Sequence, residues 1–123
     1  IIDYKTNIPR IDDWLGARPS EPQLPLYCIS STHDIDGLAF AQLRTYQPQF
    51  RGIMKHSAHW PGVIPTEQSK LIPEWETQLQ EWQQTLEQLA IDFQTGKAHV
   101  DPLDRKTTCR HCELSMLCRV GEA

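Results

Sequence analysis

Asp3 and Lys5 stand two residues apart in Ile1-Ile2-Asp3-Tyr4-Lys5-Thr6, a run whose β-branched and aromatic residues predict a strand. Successive strand side chains alternate faces, so the carboxylate and the ammonium share one face while Ile2 and Tyr4 take the other. A carboxylate offers oxygen to a hard cation such as Mg²⁺, which takes one or two protein carboxylates and keeps several waters. A lysine reaching the same place can orient or help deprotonate a water, or stabilise charge developing on a substrate. So short a pattern also occurs as a surface ion pair worth little. The pair alone leaves both readings open.

Two further groups carry chemistry. Gln23 and Tyr27 are one helical turn apart and face the same way, so a helix beside the strand would let both reach the Asp3/Lys5 site. Taken in isolation, the pair reads better as an ordinary amphipathic helix with its tyrosine at the core rim. Cys109-x-x-Cys112-x5-Cys118 has the spacing of a metal knuckle with a third thiolate returning after a short turn. Tetrahedral Zn²⁺ or a [4Fe–4S] cluster needs a fourth ligand. Cys28, His99 and His111 are the candidates within the chain, and Cys28 reads better as a small buried hydrophobe. His33-Asp34-x-Asp36-Gly37 reads as a turn, and His56-x-x-His59 as part of a loop.

The elements that must position these residues follow from punctuation and period. Asn7 to Pro19 is turn- and loop-like. Ser20-Glu21-Pro22-Gln23 resembles a capping box and predicts a helix from there to about Ser31. Leu38–Arg44 is a strand, and Phe50–Lys55 its hairpin partner; His56 to Ile72 is loop-like. From Pro73 a long helix runs to a stop at Gly96, with Trp75, Leu79, Trp82, Leu86, Leu89 and Phe93 in one apolar stripe that assigns both tryptophans to core packing. Strand, helix, strand implies a parallel pair joined by a crossover, and the hairpin makes the sheet mixed. The fold class is α/β.

A chain of 123 residues fits one domain. A net charge of −4 argues mildly against a free-standing nucleic-acid binder, which is usually basic. The charge is uneven: six basic and six acidic residues balance over residues 1–60, whereas 103–120 carries Arg105, Lys106, Arg110 and Arg119 against Asp104 and Glu113. No apolar run reaches the length of a membrane span. Clustered cysteines favour a reducing, intracellular compartment.

The ordered set Ile-Ile-Asp-Tyr-Lys-Thr, Gln-Leu-Pro-Leu-Tyr, Gly-Leu-Ala-Phe-Ala-Gln-Leu-Arg and Cys-x-x-Cys-x5-Cys-Arg resembles the PD-(D/E)XK nuclease domain of RecB-like and AddB-type proteins over nearly the whole chain. The resemblance implies a restriction-endonuclease-like fold of which residues 1–123 are the C-terminal part, with 99–123 as a cysteine-bearing tail. It implies Mg²⁺- or Mn²⁺-dependent hydrolysis of DNA by a bacterial, cytoplasmic repair protein with an upstream helicase domain or helicase partner subunit, and no membrane. Asp3 is then a metal ligand, the Tyr4 carbonyl a further one, and Lys5 the catalytic lysine. Gln23 and Tyr27 match the helix motif that supports the site and the DNA. Cys109, Cys112 and Cys118 match three of four ligands of a [4Fe–4S] cluster, with Zn²⁺ as the alternative. The family's upstream carboxylate, histidine and first cluster cysteine would precede Ile1, and Asn7 replaces a frequent glycine, so the isolated chain is expected to bind metal weakly and not to cut DNA. The rival expectation is a non-catalytic zinc or iron–sulfur module that docks on DNA or protein, with Asp3 and Lys5 as a structural pair.

Overall fold

Four strands make one sheet among the residues described in the computed structural model, which are 1–56 and 60–118. β1 (Ile2–Lys5) pairs parallel with β2 (Gly37–Gln42), β2 antiparallel with β3 (Gln49–Met54), and β3 parallel with β4 (Val63–Pro65), in that spatial order. The β1–β2 crossover passes through α1 (Gln23–Ser30), and a longer helix, α2 (Trp75–Gln94), follows the sheet. The architecture is α/β with a mixed sheet. The chain divides into two units, Ile1–Gln88 and Leu89–Ala123. His59 and Arg119 lie outside the described residues.

In the first unit, Leu38, Phe40 and Ile53 line one sheet face and meet Leu24 and Cys28 of α1, Trp75 and Trp82 of α2, and Trp14. Trp14 comes from a stretch that the sequence assigns to loop. A single 3₁₀ turn, Ile11–Trp14, carries it into the core, where its ring lies 4.9 Å from Phe40 and 6.5 Å from Trp82. The Trp14 carbonyl accepts a 2.9 Å hydrogen bond from Trp82 Nε1. Such aromatic pairs add about 0.5–1.5 kcal/mol each beyond the area they bury.

Three expectations need correction. The capping box does not form: Ser20 donates its hydroxyl to Asp13 Oδ1 at 3.0 Å, and the chain enters α1 through Pro22, whose φ of −76° and ψ of −5° are already helical. Pro25 falls in the first turn, where its missing N–H has no partner to lose. The stretch from His56 to Ile72 holds β4, only three residues long and bounded by prolines, too short for alternation to show. Pro65 is tolerated because β4 is an edge strand. Gly62, at φ +82°, makes β4 possible, since a Cβ there would sit 1.9 Å from the Phe50 carbonyl oxygen.

The third correction concerns α2. Its stripe is buried at Trp75 and Trp82, half-buried at Leu79, Leu86 and Leu89, and 84% exposed at Phe93. The tryptophans complete the core within two turns, so the longer period marks an apolar face without supplying its cover. The helix starts at Trp75 rather than Pro73, with the Glu74 carboxylate accepting from the Thr77 N–H at 2.9 Å.

In the second unit, Gly96 at φ +75° ends α2 as the sequence implies. Its N–H bonds the Phe93 carbonyl at 3.1 Å and that of Lys97 bonds Asp92 at 2.9 Å, the two bonds of a Schellman stop. Two single-turn helices follow, α3 (Arg105–Thr108), capped by Asp104, and α4 (Ser115–Cys118). Among the described residues no helix is long and apolar enough to cross a membrane.

Candidate active site

β1 lies at the sheet edge, and its register sets Asp3 beside Phe40 and Lys5 beside Gln42, on the helix-covered face. The two side chains therefore meet at that face's margin, with Lys5 Nζ 3.1 Å from Asp3 Oδ2 and 5.8 Å from the centre of the Phe40 ring. Both are mostly shielded, at 19% and 18% exposure for Lys5 and Asp3. At such burial an ion pair is less screened than on an open surface.

A third charged residue joins them. Glu21, immediately before α1 and its entry proline, accepts from Lys5 Nζ through Oε2 at 2.8 Å. The sequence reading passes over Glu21 as part of a helix start. Sixteen residues separate it from Lys5, and only the crossover closes that gap. The Glu21 carboxylate, opposed by partial burial and aided by Asp3, holds the Lys5 ammonium above the ordinary lysine range. Lys5 is thus a fixed positive charge at neutral pH.

Asp3 Oδ2 is buried and meets no donor in good hydrogen-bond geometry, but it is ion-paired at 3.1 Å with the Lys5 ammonium, which also bonds Glu21. A buried carboxylate is costly unless a cation balances it, and here the ammonium supplies that balance, so an incoming metal ion would share or compete for the oxygen. Ladder bonds from Ala39 N–H to the Ile1 carbonyl and from Leu43 N–H to that of Lys5 show which carbonyls of the strand face β2. Alternation turns the Tyr4 carbonyl to the open edge. One carboxylate and one outward carbonyl are oxygen ligands of the kind Mg²⁺ or Mn²⁺ takes, ions that need few protein ligands.

Gln23 and Tyr27 do share a face of α1, for Gln23 Nε2 donates to Tyr27 Oη at 3.1 Å. Both are exposed, and their polar atoms bond each other rather than Asp3 or Lys5. Cys28, on the next position, is 7% exposed in the core, and burial pushes its thiol up to about 11.

The cysteine segment is differently built. Cys109, Cys112 and Cys118 are free thiols, Cys112 exposed and the others half-exposed. The Cys112 N–H bonds the Cys109 carbonyl at 3.2 Å, a local turn. Among the described residues no three His, Cys, Asp or Glu side chains are grouped closely enough to hold a metal ion. The fold as it stands therefore does not preassemble a cluster there, and no chemical step is derived from one. An apolar cavity of about 490 Å³ lies elsewhere, between Ile1, Ile2, Ala39, Trp60 and Val63, and its lining includes neither Asp3, Lys5 nor Glu21.

A strand-edge acid and lysine, flanked by a crossover helix on a mixed sheet, make this an α/β protein with a candidate hydrolytic site. A family model of the PD-(D/E)XK nuclease superfamily matches residues 1–119, and the chain belongs to that superfamily. No curated protein matches the chain, and no solved structure matches it either. Membership supports nuclease activity, a hydrolase chemistry that in this superfamily ordinarily uses Mg²⁺ or Mn²⁺.

Proposed function

We propose that this chain carries the catalytic strand and crossover helix of a divalent-cation-dependent deoxyribonuclease that works within a DNA-repair helicase–nuclease. The observation that carries the reading is the meeting of Asp3 and Lys5 on one shielded face, 3.1 Å apart and tied to the crossover through Glu21. Asp3 and the Tyr4 carbonyl would hold the cation, which when bound supplies an acidified water and charge neutralisation at the phosphate. Lys5, kept protonated by Glu21, is suited to stabilising negative charge on the phosphate rather than to accepting a proton from water. Gln23 and Tyr27, exposed on one face of α1, are available to contact the DNA backbone.

The helicase association and an iron–sulfur role for Cys109, Cys112 and Cys118 are supported by motif order and spacing, and the basic residues Arg105, Lys106 and Arg110 beside the thiols suit contact with phosphate. The deciding experiment is Asp3→Ala in the full-length protein, scored as Mg²⁺-dependent cleavage of linear DNA. Loss of cleavage is the expected result. Undiminished cleavage with an intact fold would leave the docking module as the better reading. A brown anaerobic preparation with stoichiometric iron would support the cluster, whereas a colourless one with bound zinc would replace it with a structural zinc site.

A further inference from the structure

Glu21 is placed with more care than an incidental surface carboxylate. Its N–H donates to the Asp13 carbonyl at 2.9 Å, and the neighbouring Ser20 hydroxyl donates to the Asp13 carboxylate at 3.0 Å. Pro22 follows at once and stiffens the chain into α1. The 3₁₀ turn that buries Trp14 is therefore also the shelf on which Glu21 rests. From that shelf Glu21 Oε2 takes the well-aligned hydrogen bond of Lys5 Nζ, at 2.8 Å, while Asp3 Oδ2, 3.1 Å from the same nitrogen, receives none.

One ammonium stands between two carboxylates, and its alignment decides what Asp3 can do. We infer that Glu21 is a positioning residue that shares the Lys5 ammonium with Asp3 and so keeps it from pairing fully with the carboxylate that a divalent cation would need. The inference rests on the reading of Asp3 as a cation ligand. Without Glu21 the ammonium has a single carboxylate left. The ammonium, already 3.1 Å from Oδ2, would then align fully on it, because a buried acceptor gains from a well-directed hydrogen bond. An incoming cation must then displace that ammonium before it can bind. Glu21 also keeps the amine at one fixed point, which is what stabilisation of developing charge requires.

The test is a double-mutant cycle read by isothermal titration of Mn²⁺ into the full-length protein, with thermal unfolding as the control for folding. Glu21→Ala is expected to weaken Mn²⁺ binding about tenfold, within the range for residues coupled through one ion-pair network. Glu21→Gln, whose carbonyl still accepts from Lys5, is expected to recover most of that loss. The decisive comparison is made in a Lys5→Met background, where Glu21→Ala should change Mn²⁺ affinity by less than about twofold, because no ammonium is left to position. An equal loss in both backgrounds would show Glu21 to be a ligand itself or only a nearby negative charge, and would overturn the inference. So would unchanged affinity in Glu21→Ala alone. If Asp3→Asn binds Mn²⁺ as tightly as the parent chain, the cation-ligand reading fails first. The positioning role is then judged from a crystal structure of the Glu21→Ala or Glu21→Gln chain. A Lys5 amine aligned on Asp3 Oδ2 in Glu21→Ala supports it; an amine that has not moved overturns it.

Discussion

Two regions of this chain carry side chains suited to metal chemistry, and they come by them in opposite ways. Asp3, Lys5 and Glu21 are drawn from a strand and from the segment before a helix, and tertiary structure brings them within 3.1 Å of one shared nitrogen. Cys109, Cys112 and Cys118 lie within ten residues of one another, on local turns, with thiols that the described structure does not gather into a ligand set. In the first region the sequence signal is weak and the fold assembles an ion-paired triad; in the second the spacing is suggestive and the thiols stay on local turns. Among the described residues neither is a preassembled three-ligand metal site. Convergence across a fold is costly to arrange by chance, since the intervening chain must be ordered to achieve it. Local spacing needs no such ordering, so it testifies less about function until a ligand is seen.

The contrast can be broken or sharpened by experiment. The largest expected effect is on catalysis: Lys5→Ala in the full-length protein should lower Mg²⁺-dependent DNA cleavage by ~10²-fold or more, measured at saturating metal. Retention of cleavage would reduce the converged site to a structural ion pair. Next is stability. Trp82→Phe removes the indole donor to the Trp14 carbonyl and some buried volume, and should cost about 1–2 kcal/mol in denaturant unfolding.

Smaller effects distinguish the thiols. At pH 8 iodoacetamide should label Cys109, Cys112 and Cys118 and spare Cys28, as peptide mass mapping would show. Because burial raises the Cys28 thiol from 9.0 to about 11, the folded state holds a proton that the unfolded state has released between those values. Its contribution to stability is complete below pH 9.0 and is lost as pH rises towards 11, the same direction as the raised Lys5 ammonium. A thermal melting point that falls through this alkaline window is the expected observation. The smallest effect belongs to Cys109→Ser, which should shift the stability of the metal-free protein by less than about 0.5 kcal/mol. A large loss would show that the tail is integral to the fold and would erase the contrast.

Much of the frame was legible from residue pattern. The parallel pair, the hairpin and the Gly96 stop all follow from local rules, and the core places of Trp75, Trp82 and Cys28 follow from period and residue type. What escaped was non-local or very short. Trp14 sits in a proline- and glycine-punctuated stretch that shows no periodicity, so its burial depends on partners from β2 and α2. β4 is defined by pairing with β3, a long-range property. Glu21 was hidden for a related reason: a glutamate two residues before a glutamine motif looks like helix-start chemistry, and only the crossover reveals that its partner is Lys5. A rule that asks which charged residues flank the entry of a crossover helix would have raised it.

The indole of Trp82 grips the carbonyl of Trp14, and the adjoining Asp13 carries the main-chain bond to Glu21. The long helix is thus linked, by way of a ring and a peptide oxygen, to the segment that carries Glu21. Softening at Trp82 should loosen the Glu21–Lys5 contact while circular dichroism still reads native.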